Sequence, residues 1–202
     1  MKTLLKLSLA ATAVITAFGA QAQEFPSKDK TVTLVVPYAA GGPTDRVARD
    51  LAEALRKPLG VSVVVDNAAG AGSTIGTAKA ARATPDGYTL LLNHISMSTM
   101  PTMYRKLAFN VVNDFEYLGI INDVPMTLIA KPSMAANNYK ELSTWINQNK
   151  GKINLGNAGL GSASHLCGLM FQSAIKTDMT AVSYKGAAPA ITHLMGGQID
   201  LL

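Results

Sequence analysis

The sequence predicts an α/β protein made of two lobes, each organised on a parallel sheet. Short β-branched runs alternate with helix-length amphipathic stretches, the pattern of repeated βα units. The alternation comes in two series, interrupted at Asn122-Asp-Val-Pro125. The strands empty into Gly-, Asn- and Ser-rich loops that open helices, so loops from both lobes can face one cleft. The expected divisions are a signal peptide over 1–22, a first lobe over 23–122 and a second lobe over 123–202.

In Met1–Ala22, Lys2 and Lys6 precede the apolar run Leu7–Gly19, and Ala20-Gln21-Ala22 has the small-x-small form of a cleavage site. These features predict an exported mature chain starting at Gln23 and a bacterial periplasmic location. No second apolar run reaches the length of a spanning helix, so the mature chain is not expected to be membrane-embedded.

Thr31–Val36 reads as a buried strand ended by Pro37. The loop Tyr38–Pro43 leads to a helix capped by Thr44 or Gly42, with Pro43 tolerated in its first turn. Val47, Leu51 and Leu55, joined by Ala48 and Ala52, form one apolar face, and Lys57-Pro58 and Gly60 are the stop signals. Val61–Val65 is a second strand, and Thr74–Ala83 is a helix of small residues. Pro85-Asp-Gly87 turns into a third strand, Tyr88–Leu92. Asn93, His94 and Ser96 leave its end, where open α/β sheets place ligands. A short helix is expected around Thr99–Tyr104, with Met97, Met100 and Met103 filling gaps in packing. Strands at Tyr117–Ile121 and Met126–Ala130 flank the crossover. A helix over Tyr139–Asn149, a strand over Ile153–Leu155 and a Gly/Asn turn come next, followed by an amphipathic run over His165–Ile175. Thr180–Tyr184, a helix over Ala188–Met195 and a strand over Gln198–Leu202 complete the series.

The turn Gly156–Ser164 supports two readings. It is a well-capped helix start, with Ser162 or Ser164 as the cap, or an anion-holding loop at the positive end of a helix dipole. The run Gly70-Ala-Gly-Ser-Thr-Ile-Gly76 places its third glycine one position late for a dinucleotide fingerprint, which argues against a nicotinamide site. The formal charge of +5 falls by two once Lys2 and Lys6 are removed, and the remaining cations are scattered. Nucleic acid is therefore a poor candidate partner. His94, His165 and His193 lack metal-ligand spacing, and neither a metal nor a cofactor is expected. Cys167 is the one cysteine and is expected in the core. An enzyme would need Ser162 and His165 as nucleophile and base, but Gly161-Ser-Ala-Ser-His165 is not a nucleophile elbow and offers no third group. The favoured reading is not an enzyme.

Five blocks resemble, in order, the Bug-type substrate-binding proteins of tripartite tricarboxylate transporters. They are Val35–Asp45 (VVPYAAGGPTD), Asp66–Gly76 (DNAAGAGSTIG), Pro85–Leu91 (PDGYTLL), Gly161–Leu166 (GSASHL) and Tyr184–Thr192 (YKGAAPAIT). The segments HISMST and INDVPMTLI look closest to the aspartate-binding branch. The resemblance implies a two-lobe type II periplasmic-binding-protein fold closing on a small carboxylate, delivery to membrane components of the transporter, and no catalysis. Carried over by position, the binding residues are Tyr38, Ala39, Gly42, Thr44 and Asp45 in the first lobe. In the second they are Gly161, Ser162, Ser164 and His165, with Tyr184 and Lys185 nearby. Ser73 braces its own helix. The family resemblance also implies a longer chain, so a truncated, non-functional remnant stands beside an exported serine hydrolase as an alternative to the receptor.

Overall fold

The computed structural model describes residues 25–202, and the expected signal peptide lies outside them. β1 (Val32–Val36) is a run of β-branched and Leu residues, buried almost throughout. It pairs in parallel with β2 (Val63–Asn67) on one side and β3 (Thr89–Leu91) on the other, giving the order β2-β1-β3. A central strand covered on both faces calls for a nearly continuous apolar run, and Val32, Leu34, Val35 and Val36 supply it, with Thr33 the one half-buried exception. A second parallel sheet is formed by β4 (Asn154–Asn157) and β5 (Thr180–Ser183). Parallel pairing in both sheets follows from the helices that connect their strands.

α1 (Pro43–Leu59) packs Ala48 and Ala52 onto the first sheet, and small residues at those positions let the helix come close. Of the two expected stop signals, Lys57-Pro58 does not act, because the helix runs through Pro58 to Leu59, and Gly60 does. Gly60 terminates it, with φ of 66° and its N–H donating to the Arg56 carbonyl. A 3₁₀ turn (Ala71–Ser73) leads into α2 (Thr74–Ala81), and α3 is Ser96–Met103. Met100 is buried against Ala78 and Phe109, as gap-filling predicts. In the second half, α4 is Tyr139–Gln148, α5 is Ala163–Ile175 and α6 is Ala187–Met195. Asn138 caps α4 by accepting from the Glu141 N–H at 3.0 Å, and the Glu141 carboxylate accepts from the Asn137 N–H at 2.7 Å. That reciprocal pair satisfies two donors at the helix start.

Three expected strands do not form ladders. Among the described residues Tyr117–Ile121 pairs with no strand, and it is largely exposed. Met126–Ala130 and Gln198–Leu202 are reduced to isolated bridges, Ala130 to Leu201 antiparallel and Leu155 to Leu201 parallel. The β-type composition is present in all three, but a strand needs a neighbour to pair with. Cys167 is a second correction: it is exposed, as are Leu169 and Met170. α5 turns Gly168, Phe171 and Ile175 inward instead, and Gly168 lets the helix sit close on Leu155, whose Cδ2 would lie 3.0 Å from an added Cβ.

Candidate functional site

The loops at the C-terminal ends of the strands meet along a seam between the two sheets. The Ala39 N–H donates to the Lys185 carbonyl at 2.8 Å, and the Thr99 hydroxyl donates to the Gly161 carbonyl at 2.8 Å. Tyr104 reaches the Leu160 carbonyl at 3.5 Å. Most of these acceptors are main-chain carbonyls, and the seam leaves almost no room for side chains. A Cβ on Gly72 would lie 2.5 Å from the Leu160 oxygen, and one on Gly186 would lie 3.0 Å from the Ala39 nitrogen.

In the first lobe, Tyr38 follows β1 and lies under the seam, 4% exposed. Its hydroxyl is 2.7 Å from the Ser96 hydroxyl and donates to the Asn93 side-chain oxygen at 3.1 Å. Ser73 donates to Ser96 at 3.0 Å, and the Asn93 amide donates to Thr77 at 3.0 Å. Ser73 thus braces α3 as well as its own helix. Ala71, Gly72 and Ser73 all have positive φ, and at Ala71 and Ser73 that conformation is unfavourable and must be held by surrounding contacts. His94 stacks on the Tyr38 ring with centroids 4.5 Å apart. Burial pushes the imidazole pKa down to about 4 and the Tyr38 phenol up to about 12, so both are neutral around pH 7.

Asp45 is buried in the first turn of α1, where one carboxylate oxygen accepts from the Gly41 N–H at 2.9 Å and from Arg49 Nε at 3.0 Å. Burial raises its pKa, but Arg49, the Gly41 N–H and Asn67 together hold it below the usual carboxylate range. Its charge is thereby tied to Arg49 and to the loop. Thr44 is half-buried, and Gly42 serves as the N-cap residue with no side-chain hydrogen bond. Gly186 begins α6 in the same uncapped way. These two helix starts abut: a Cβ on Gly42 would lie 3.6 Å from the Ala188 nitrogen and 3.9 Å from the Ala187 nitrogen. Two positive helix ends share one place, with the nearest carboxylate neutralised by Arg49.

The second-lobe residues divide differently. Ser162, not Ser164, caps α5, accepting from the His165 N–H at 3.3 Å. Ser164 accepts from the Ala158 N–H at 2.9 Å, and the His165 ring accepts from the Gly161 N–H at 3.4 Å. Burial lowers the His165 pKa. The hydrogen bonds of Ser162 and His165 are those of a capped turn rather than of a nucleophile and its base. A cavity of about 10 Å³ between β4 and α5 has room for no more than one water. Tyr184 pairs with His193 at 3.0 Å, and Lys185 contributes its carbonyl to the seam. Sequence reasoning missed Gly72, Thr99, Tyr104 and Gly186 as seam residues. The glycines stood inside recognised loops, but nothing in the sequence tells which glycine touches the other lobe. Among the described residues no cluster of ligating side chains could hold a metal, and no helix is long and apolar enough to cross a membrane.

Two parallel α/β halves with their strand-end loops against each other form the kind of crevice in which open α/β sheets place ligands. The chain belongs to the tripartite tricarboxylate transporter family receptors (TctC), whose description matches residues 47–202. It is 44% identical over 191 residues to a UPF0065 protein of Agrobacterium vitis, covering 94% of this chain and 55% of that protein. The periplasmic binding protein BugD is similar in structure at TM-score 0.83 and 50% identity, covering 87% of this chain and 58% of BugD. An R. palustris protein solved with adipate matches at TM-score 0.83 and 31% identity, over 88% of this chain and 59% of its own. MatC from Rhodopseudomonas palustris with bound malate matches at TM-score 0.79 and 34% identity, over 88% and 60%. The fold is that of type II periplasmic binding proteins, as expected, and the chain spans little more than half the length of the relatives it matches.

Proposed function

We propose that this chain supplies the carboxylate-capturing part of a periplasmic receptor that hands its ligand to the membrane components of a tripartite tricarboxylate transporter. The observation that carries the reading is the pair of uncapped helix N-termini at Gly42 and Gly186, abutting in a seam poor in free carboxylates. Such a place favours a full anion and has no assembled nucleophile, so the reading is binding without catalysis. Adipate and malate in the similar structures support a dicarboxylate, and the sequence resemblance adds an acidic amino acid such as aspartate. In this reading Ala39, Gly42, Thr44, Gly161, Ser164, His165, Tyr184 and Lys185 border the ligand. The buried Tyr38, Asp45, Ser96 and Ser162, with the half-buried Asn93 and His94, fix the loops that present them. The first lobe extends to about residue 122 and the second begins at about 123.

The test is calorimetric titration of the chain with malate, adipate and aspartate, alone and together with the unmatched part of BugD. Saturable binding of one of them, weakened by Gly42→Val, is the expected result. No binding of any carboxylate in either setting would overturn the reading.

A further inference from the structure

We infer that Thr99 latches the two lobes: its hydroxyl donates across the seam to the Gly161 carbonyl when they are shut and returns to the Ser96 carbonyl of its own helix when they part. Both acceptors are within reach. The hydroxyl oxygen lies 2.8 Å from the Gly161 oxygen and 3.3 Å from the Ser96 oxygen, and it has one proton to give. The shorter contact claims that proton while the lobes touch. A helical threonine can turn its hydroxyl back onto the preceding turn, so parting the lobes strands no donor. Gly161 makes the approach possible, because a Cβ there would lie 2.8 Å from the Thr99 hydroxyl oxygen and 3.6 Å from Met103 Cγ. Thr99 and Met103, four residues apart, thus share the face that α3 turns to the second lobe.

Each end of the latch is fixed in its own lobe. Met100 is buried against Ala78 and Phe109, and the Ser96 hydroxyl meets Tyr38 at 2.7 Å, Ser73 at 3.0 Å and the Asn93 side-chain oxygen at 2.7 Å. These contacts make α3 move with the first lobe as one body. On the far side, Gly161 precedes Ser162, the cap of α5, and its N–H donates to His165 Nδ1 at 3.4 Å. With its carbonyl taken by Thr99, both polar groups of Gly161 are engaged, one in its own turn and one across the seam. Tyr104 makes the longer contact of 3.5 Å to Leu160, and the Ala39–Lys185 bond joins main chain to main chain. Thr99 supplies a short seam bond that a side-chain substitution can remove. It is a positioning residue that sets how readily the lobes part, and its bearing on ligand release rests on the receptor reading.

The experiment places one spin label on Cys167, which is exposed and the chain's one cysteine, and a second on Arg82→Cys, exposed at the end of α2. Pulsed electron resonance then measures the distance between the lobes in the unliganded full chain carrying Thr99, Thr99→Val or Thr99→Ser. Valine keeps the size and loses the donor, and serine keeps the donor. Loss of one hydrogen bond held only in the shut arrangement should raise the ratio of open to shut molecules about 3- to 10-fold in Thr99→Val. Thr99→Ser should match the parent, and thermal melting should show all three folded. Release of malate or aspartate in stopped flow should quicken by the same factor in Thr99→Val alone, since a ligand leaves through the open arrangement. A Thr99→Val distance distribution superimposable on the parent's, or a Thr99→Ser chain as open as Thr99→Val, would overturn the inference. The distances are read without ligand, so the latch is decided even where no carboxylate binds and the receptor reading fails.

Discussion

Closure of the two lobes can be tested by adding one methyl group at Gly72. This residue has φ of +56°, and a Cβ there would lie 2.0 Å from the Tyr104 hydroxyl and 2.5 Å from the Leu160 carbonyl oxygen. A carbon sits about 3.3–3.6 Å from a carbonyl oxygen, so the loops must part by about 1 Å to admit it. Tyr104 can swing away, but Leu160 presents main chain and cannot. Left-handed backbone costs alanine about 1–2 kcal/mol whether the lobes are open or shut. Overpacking adds about 1–3 kcal/mol, felt only when they shut. Gly72→Ala should therefore weaken carboxylate binding by about 5- to 150-fold, and it should raise the radius of gyration of the unliganded chain in small-angle scattering.

Gly60→Ala is the matched control. Gly60 has φ of +66° and nothing within 4 Å of its would-be Cβ, so it carries the backbone cost without the collision. Both variants should melt lower than the parent by a few degrees, and only Gly72→Ala should change affinity and dimensions. If calorimetry and scattering find the two variants alike, the seam does not govern closure and the argument from Leu160 fails.

Three other outcomes follow from single groups. Desolvation pushes His94 down to about 4 where an unfolded histidine titrates near 6.5, so the unfolded chain binds the extra proton between those values. Stability is then fully present above pH 6.5 and falls by about 3 kcal/mol as the pH drops toward 4, a slope that His94→Gln should remove from urea midpoints measured against pH. Ser162→Ala should cost about 1 kcal/mol in urea unfolding through the lost cap of α5, and ester hydrolysis should be absent with and without the serine; serine-dependent turnover would restore the hydrolase reading. Asp200 binds Lys131 at 2.6 Å and accepts from the Asn154 N–H at 2.9 Å, so Asp200→Asn should destabilise the second lobe by about 1–3 kcal/mol in the same unfolding measurement.

The helices and the paired strands were legible because each carries its own signal. α1 shows its apolar period and its glycine stop, and β1 an apolar run suited to a strand covered on both faces. Tyr117–Ile121 was misread for a reason of the same physics: its residues favour a strand, but pairing is a property of two segments, and none of the described residues pairs with it. Cys167 was misplaced because Leu166, Leu169 and Met170 look like a core stripe, whereas Gly168 decides which face approaches the sheet. A glycine contributes nothing to an apolar pattern, so the face it opens is invisible to periodicity.

The same blindness explains why the motifs point to these loops without pointing to a ligand. Side chains that the motifs brought to notice, Tyr38, Ser96, Asn93 and Ser162, turn out to spend their hydrogen bonds on one another and on helix starts. What meets at the seam is main chain: the N-terminal turns of α1 and α6, and the carbonyls of Leu160, Gly161 and Lys185, which accept from Tyr104, Thr99 and the Ala39 N–H in turn. Backbone amides at a helix start recognise negative charge without regard to what carries it. A seam of that kind can keep its framework while the bound acid changes, because a different spacing between carboxylates asks only for a different separation of the two loops. Ligand choice in this chain should accordingly respond to glycines and small residues that set that separation, Gly42, Gly72 and Gly186, more than to any charged side chain.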